Sequence, residues 1–172
     1  MPTPTHSAVM AALTLLLTVA AVLAHRPLAR RTGRSPRTTL ALTLALALCL
    51  GLTLPDQLAP GVTDRLTACL TGNSHRTLTG GPAHNAVNIL LWLPVGLLGT
   101  LTTRRPLMVA LTGSALWALV ELLQTLDPTR SCQPLDWANN TAGVGVGVVV
   151  GWVVCRGRPG ARAAAITSPN DP

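Results

Sequence analysis

The sequence predicts an all-α, polytopic integral membrane bundle of about five transmembrane helices, N-terminus out and C-terminus in. Three observations carry this reading. Hydrophobic residues make up 48% of the 172 residues and charged ones only 11%, a low charge content for a soluble chain. The apolar residues fall in runs able to cross the roughly 30 Å hydrocarbon core. The arginines, in a chain without lysine, form short clusters between those runs.

The apolar runs cover residues 7–24, 38–54, 86–101, 106–125 and 139–155. A membrane-spanning backbone must satisfy its own hydrogen bonds, so each is expected to be helical. The first run also has the length of a signal peptide. Its leading segment lacks arginine, however, and five arginines follow it (Arg26, Arg30, Arg31, Arg34 and Arg37). That is the reverse of a signal layout, and it favours a retained first helix. Basic residues near helix ends favour the cytoplasm. Placing the 25–37 loop inside also places Arg104, Arg105, Arg156, Arg158 and Arg162 inside, ten of thirteen arginines. Only Arg65, Arg76 and Arg130 then lie outside. The formal charge of +7 therefore reads as a topology signal. A nucleic-acid surface is not expected, because no basic face is interleaved with stacking aromatics. The chain is expected to be one membrane domain over residues 1–172, with a disordered tail at 163–172.

Glu121 is the most informative residue, since a carboxylate in a membrane helix is costly and is by default a functional-site hypothesis. It lies near the outer end of the fourth run. Gln124 at i+3 and Trp117 at i−4 share its side of the helix. Beyond follow Arg130, Asp136 and Asn140, and Asn88 lies near the outer end of the third run, with Pro94 further in. Spacing and topology thus place Asn88, Glu121, Gln124, Arg130, Asp136 and Asn140 at one depth, as candidate ligand-binding residues. The structural alternative has Glu121 paired with Arg130, Asp136 or the Asn139–Asn140 pair capping the fifth helix, and Asn88 bonding across helices.

These residues also occur in an ordered pattern: Asn88-Ile-Leu-Leu-Trp-Leu-Pro94-Val-Gly96, Glu121-Leu-Leu-Gln124, Arg130-Ser-Cys132 and Asp136-x-x-x-Asn140-Thr-Ala-Gly143. The set resembles the VanZ-like family of membrane proteins over residues 83–151. Where many members of that family carry an acid four residues before the helical Asn, this chain has His84. The resemblance implies a cell-envelope protein with a link to resistance against the glycopeptide teicoplanin, and it implies no particular reaction.

Cys69 and Cys132 both fall in outer loops, where disulfides persist, and a Cys69–Cys132 bridge is expected. Free thiols, or a zinc site using Cys69, Cys132, His75 and His84, are the alternatives, the second without the usual close ligand pairs. Gly143, Gly147 and Gly151 form a small-residue face suited to close helix packing, and Gly145 completes no dinucleotide motif. Trp92 and Trp117 are expected inside the bundle, Trp137 and Trp152 at the interfaces.

The function expected from this reading is non-enzymatic binding or transport of an anionic lipid or lipid-linked envelope precursor at the outer leaflet. Arg130 would contact an anionic group and Glu121 would balance the charge. Neither a cofactor nor a metal is implied. The rivals are an intramembrane enzyme using Glu121 or Asp136 as base and Arg130 against an oxyanion, and a structural partner of another membrane protein.

Overall fold

The computed structural model describes residues 4–55, 57, 61–71, 81–127 and 133–157. Among them are six α-helices and no strand: α1 (Pro4–Thr32), α2 (Pro36–Thr53), α3 (Val62–Leu70), α4 (Pro82–Thr103), α5 (Pro106–Gln124) and α6 (Pro134–Arg156). All but α3 are long and apolar enough to cross a membrane. The all-α class expected from the sequence is therefore present, with five helices compatible with a membrane bundle. The residues of the 163–172 tail lie outside those described.

Several helices extend beyond the apolar runs that signal them. α2, α4, α5 and α6 each begin on a proline, at Pro36, Pro82, Pro106 and Pro134. Proline suits a first turn because its fixed φ is already helical and its missing N–H would have no intrahelical partner. α6 therefore starts well before residue 139, and Asn139 and Asn140 lie within the helix instead of capping it. The cap position is Gln133, without a side-chain capping bond. α1 also runs on past residue 24, through Arg26, Pro27 and Arg30, and stops where Gly33 adopts φ 64°. There the Arg34 amide donates to the Ala29 carbonyl at 2.9 Å and the Gly33 amide to Arg30 at 3.4 Å, the paired bonds of a glycine-terminated helix. Only the three residues Gly33, Arg34 and Ser35 then connect α1 to α2.

α4 and α6 form the tightest helix pair, with α5 against both, α2 against α4, and α1 against α2. Glycine explains the closeness. A Cβ at Gly143 would meet the Ile89 carbonyl oxygen, one at Gly147 the Leu93 oxygen, and one at Gly96 the Val144 oxygen. At Gly151 it would lie 3.0 Å from the Leu97 oxygen. The small-residue face of α6 thus packs on the α4 backbone, as its spacing suggests. Trp92 and Trp117 fill the core with Val95, Val120, Val144, Val148 and Cys49. The two indoles meet edge to face, their ring centroids 4.6 Å apart. Trp137 and Trp152 are exposed, in keeping with an outer position. Leu15, Leu16, Leu23, Leu90, Leu107 and Leu111 also point outward, an exterior that suits lipid contact and would be unusual in water.

α3 is a helix that the apolar runs do not announce, being short and bearing Asp64 and Arg65. It sits between α2 and α4 in sequence, and Arg65 ties it to the end of α5. The guanidinium donates to the carbonyls of Thr125 at 3.3 Å and Asp127 at 2.8 Å, which belong to the C-terminal turn where helix carbonyls lack intrahelical donors.

Candidate ligand cavity

Four helix ends meet around a cavity of about 400 Å³. Its walls are Leu52 and Thr53 at the end of α2, His84, Val87, Asn88 and Leu91 at the start of α4, Trp117, Glu121 and Gln124 at the end of α5, and Asp136 and Asn140 at the start of α6. Since two helix ends and two helix starts converge here, the α1–α2 turn, the α4–α5 turn and the end of α6 share the opposite end of the bundle. Those are the segments that carry Arg30, Arg31, Arg34, Arg104, Arg105 and Arg156.

The cavity grades from a rim to a floor. The His84 side chain is 52% exposed and that of Asp136 21%, while Leu52 and Val87 are also exposed. Glu121, Gln124, Asn140 and Trp117 are buried beneath them. At the rim, Asn88 Nδ2 donates to Asp136 Oδ1 at 3.2 Å and lies 3.3 Å from His84 Nε2. His84 Nε2 is itself 3.4 Å from Asp136 Oδ1. An acid at position 84 would confront the Asp136 carboxylate, whereas histidine can donate to it and, once protonated, forms an ion pair. Deeper in, Gln124 Nε2 donates to the Thr53 carbonyl at 2.7 Å, and Glu121 Oε2 accepts the backbone N–H of Gln133 at 3.2 Å. That last bond holds the N-terminus of α6 against α5, where a negative charge also complements the helix dipole.

Among the described residues, Asn140 Oδ1 and Trp117 Nε1 are buried polar atoms of lining residues without a hydrogen-bond partner. Leaving such groups unpaired in a dry interior is costly. Among the described residues no three His, Cys, Asp or Glu side chains are grouped to hold a metal ion.

Five of the six candidate residues (Asn88, Glu121, Gln124, Asp136 and Asn140) thus line one cavity, and Arg130 lies outside the described residues. So does Cys132, the expected partner of Cys69; Cys49 and Cys155 are free thiols. His75 of the zinc alternative is likewise outside them. The contribution of α2 has no counterpart in the motif set. Thr53 acts through its backbone carbonyl, which has no sequence signature, and Leu52 is one leucine among many. Arg65 and the buried Asp127 are also absent from the set, although an arginine on the sparsely basic side of the chain is a usable signal.

No protein family matches the chain, nor does any curated protein or solved structure show detectable similarity to it.

Proposed function

We propose that the chain is a multi-pass cell-membrane protein that holds the polar head of an anionic lipid or lipid-linked envelope precursor in this cavity, at the outer leaflet, without converting it chemically. The observation that carries the reading is the convergence of polar side chains from α4, α5 and α6 on one cavity. A volume of about 400 Å³ is of the size that small-molecule sites occupy. The arginine asymmetry supports an outward-facing cavity with both termini placed as the positive-inside rule demands. The ordered motifs support membership of the VanZ-like family, and with it an influence on teicoplanin tolerance. Arg130 is assigned the anionic group on sequence grounds, and a Cys69–Cys132 bridge completes the outer side.

The test is mass spectrometry of lipid retained by the purified full chain. Wild type is expected to keep a defined lipid class, and Glu121→Gln and Arg130→Ala to lose it while remaining monodisperse. Equal lipid retention by all three proteins refutes the reading. Orientation is checked separately: a cysteine placed at Arg34 should resist an impermeant maleimide on intact cells, and labelling there reverses the topology. Alkylation without reductant should spare Cys69 and Cys132, and modification of both removes the bridge from the proposal.

A further inference from the structure

We propose that protonation of His84 opens the cavity to the phosphodiester head of an anionic lipid, so that occupancy rises as the pH falls. This adds regulation to the lipid-binding reading and rests on it. Three polar atoms at the rim stand too close together for all their contacts to be hydrogen bonds at once. Asn88 Nδ2 donates to Asp136 Oδ1 at 3.2 Å and lies 3.3 Å from His84 Nε2. Nε2 is in turn 3.4 Å from the same Oδ1. A ring nitrogen offers either a lone pair or a proton. With a lone pair, Nε2 accepts the second N–H of Asn88 and faces the carboxylate oxygen as acceptor to acceptor. With a proton, it donates to Asp136 and cannot accept from Asn88. A neutral ring can take either role, an imidazolium only the second.

Acidification therefore changes the lining in two ways. The Asn88 N–H that served His84 is released for a ligand, while its other N–H stays on Oδ1, which has lone pairs for both donors. The rim also gains a positive charge. Asp136 on α6 and Glu121 on α5 are the other ionisable groups among the described lining residues; α2 contributes Leu52 and Thr53 and no ionisable side chain. With His84 neutral, the described lining holds no cation, and a phosphate meets the Asp136 carboxylate unscreened. With His84 charged, that carboxylate has a charge-assisted partner, and the ring keeps its Nδ1–H for a phosphate oxygen. The His84 side chain is 52% exposed, so proton and ligand both reach it. Arg130, to which the anionic group is assigned, keeps its charge throughout the imidazole range and so adds no pH dependence of its own.

The full chain is reconstituted in nanodiscs of phosphatidylglycerol diluted into phosphatidylcholine with matched acyl chains. Bound lipid is read by native mass spectrometry at about pH 8 and about pH 5.5, which bracket the ordinary imidazole range; neither phospholipid changes charge between them. Bound phosphatidylglycerol is expected to rise about three- to fivefold on acidification, the effect of one partly exposed charge. His84→Gln should abolish the rise, and His84→Arg should bind alike at both pH values. A rise retained in His84→Gln overturns the proposal and gives the response to Asp136 or Glu121. Equal wild-type enrichment at both pH values also overturns it and leaves the lipid-binding reading standing, whereas enrichment at neither defeats both. The ring is also read directly by nuclear magnetic resonance of the chain carrying isotope-labelled histidine, its signals identified by their loss in His84→Gln. By linkage, phosphatidylglycerol should raise the protonated fraction of His84 at fixed pH, and an unchanged fraction overturns the coupling. Displacement of the lipid by glycerophosphoglycerol at equal concentration overturns the lipid as source, because the acyl chains would then add nothing.

Discussion

Gly147→Ala should loosen the α4–α6 pair far more than a single methyl ordinarily can. The added Cβ would lie 2.7 Å from the Leu97 amide nitrogen and closer still to the Leu93 carbonyl oxygen. Non-bonded heavy atoms settle at about 3.5–4.0 Å, so α6 must withdraw from α4 by roughly 1 Å. Both obstructing atoms are backbone, and no rotamer change relieves them. Overpacking costs about 1–3 kcal/mol, and a backbone obstacle places this substitution in the upper half of that range. Gly145→Ala, two residues away and on the other side of the same helix, meets nothing within 4 Å and should be neutral or slightly stabilising. Equilibrium unfolding of the purified chain in mixed micelles with increasing dodecyl sulfate compares the two directly. Equal stability of both variants would refute the account of close packing, because their intrinsic helix preferences are the same.

Two further outcomes follow from the polar contacts. Gln124→Leu removes the donor to the Thr53 carbonyl and should destabilise the α2–α5 junction by about 0.5–2 kcal/mol in the same unfolding assay; an unchanged midpoint would mean that the 2.7 Å bond adds nothing. Arg65→Ala deprives the last turn of α5 of its two guanidinium bonds, at a cost of about 1–2 kcal/mol. Faster hydrogen exchange confined to α3 and residues 121–127 is the expected signature, and unchanged exchange there would show that α3 is held by other contacts.

How much of this is legible in the sequence depends on how each feature is encoded. The five long helices are legible because hydrocarbon length imposes an apolar run on each. Their ends are less so: α1 continues through Arg26 and Arg30 because exposed arginines are good helix formers, while the apolar criterion stops at the first charge. α3 leaves no such trace, since nine residues containing Asp64 and Arg65 look like any polar loop. The cavity lining is legible on α4, α5 and α6, where Asn88, Glu121, Gln124, Asp136 and Asn140 stand out against apolar neighbours. Its α2 wall is not, because Leu52 and the Thr53 carbonyl acquire a role only when α2 docks on α4.

The glycine face and the cavity are two halves of one design along α6. Asp136, Asn140, Gly143, Gly147 and Gly151 recur at intervals of three or four residues and so share one side of the helix. Over Gly143, Gly147 and Gly151 that side has no side chains, and the α4 backbone closes on it. Towards the start of α6 the same side carries Asn140 and Asp136, opposite Asn88 of α4, and the helices must stand apart by the length of those side chains. The void between them is what Glu121, Gln124 and Trp117 line from α5. The tight contact then acts as the fixed end of the pair, and the 3.2 Å Asn88–Asp136 bond as the gauge of its open end. A shift of roughly 1 Å imposed at Gly147 is comparable with the tolerance of that bond. Gly147→Ala should therefore weaken lipid retention as well as stability, although residue 147 lies outside the cavity lining. Lipid retention that survives the loss of stability would show that the open end is set by the polar contacts alone.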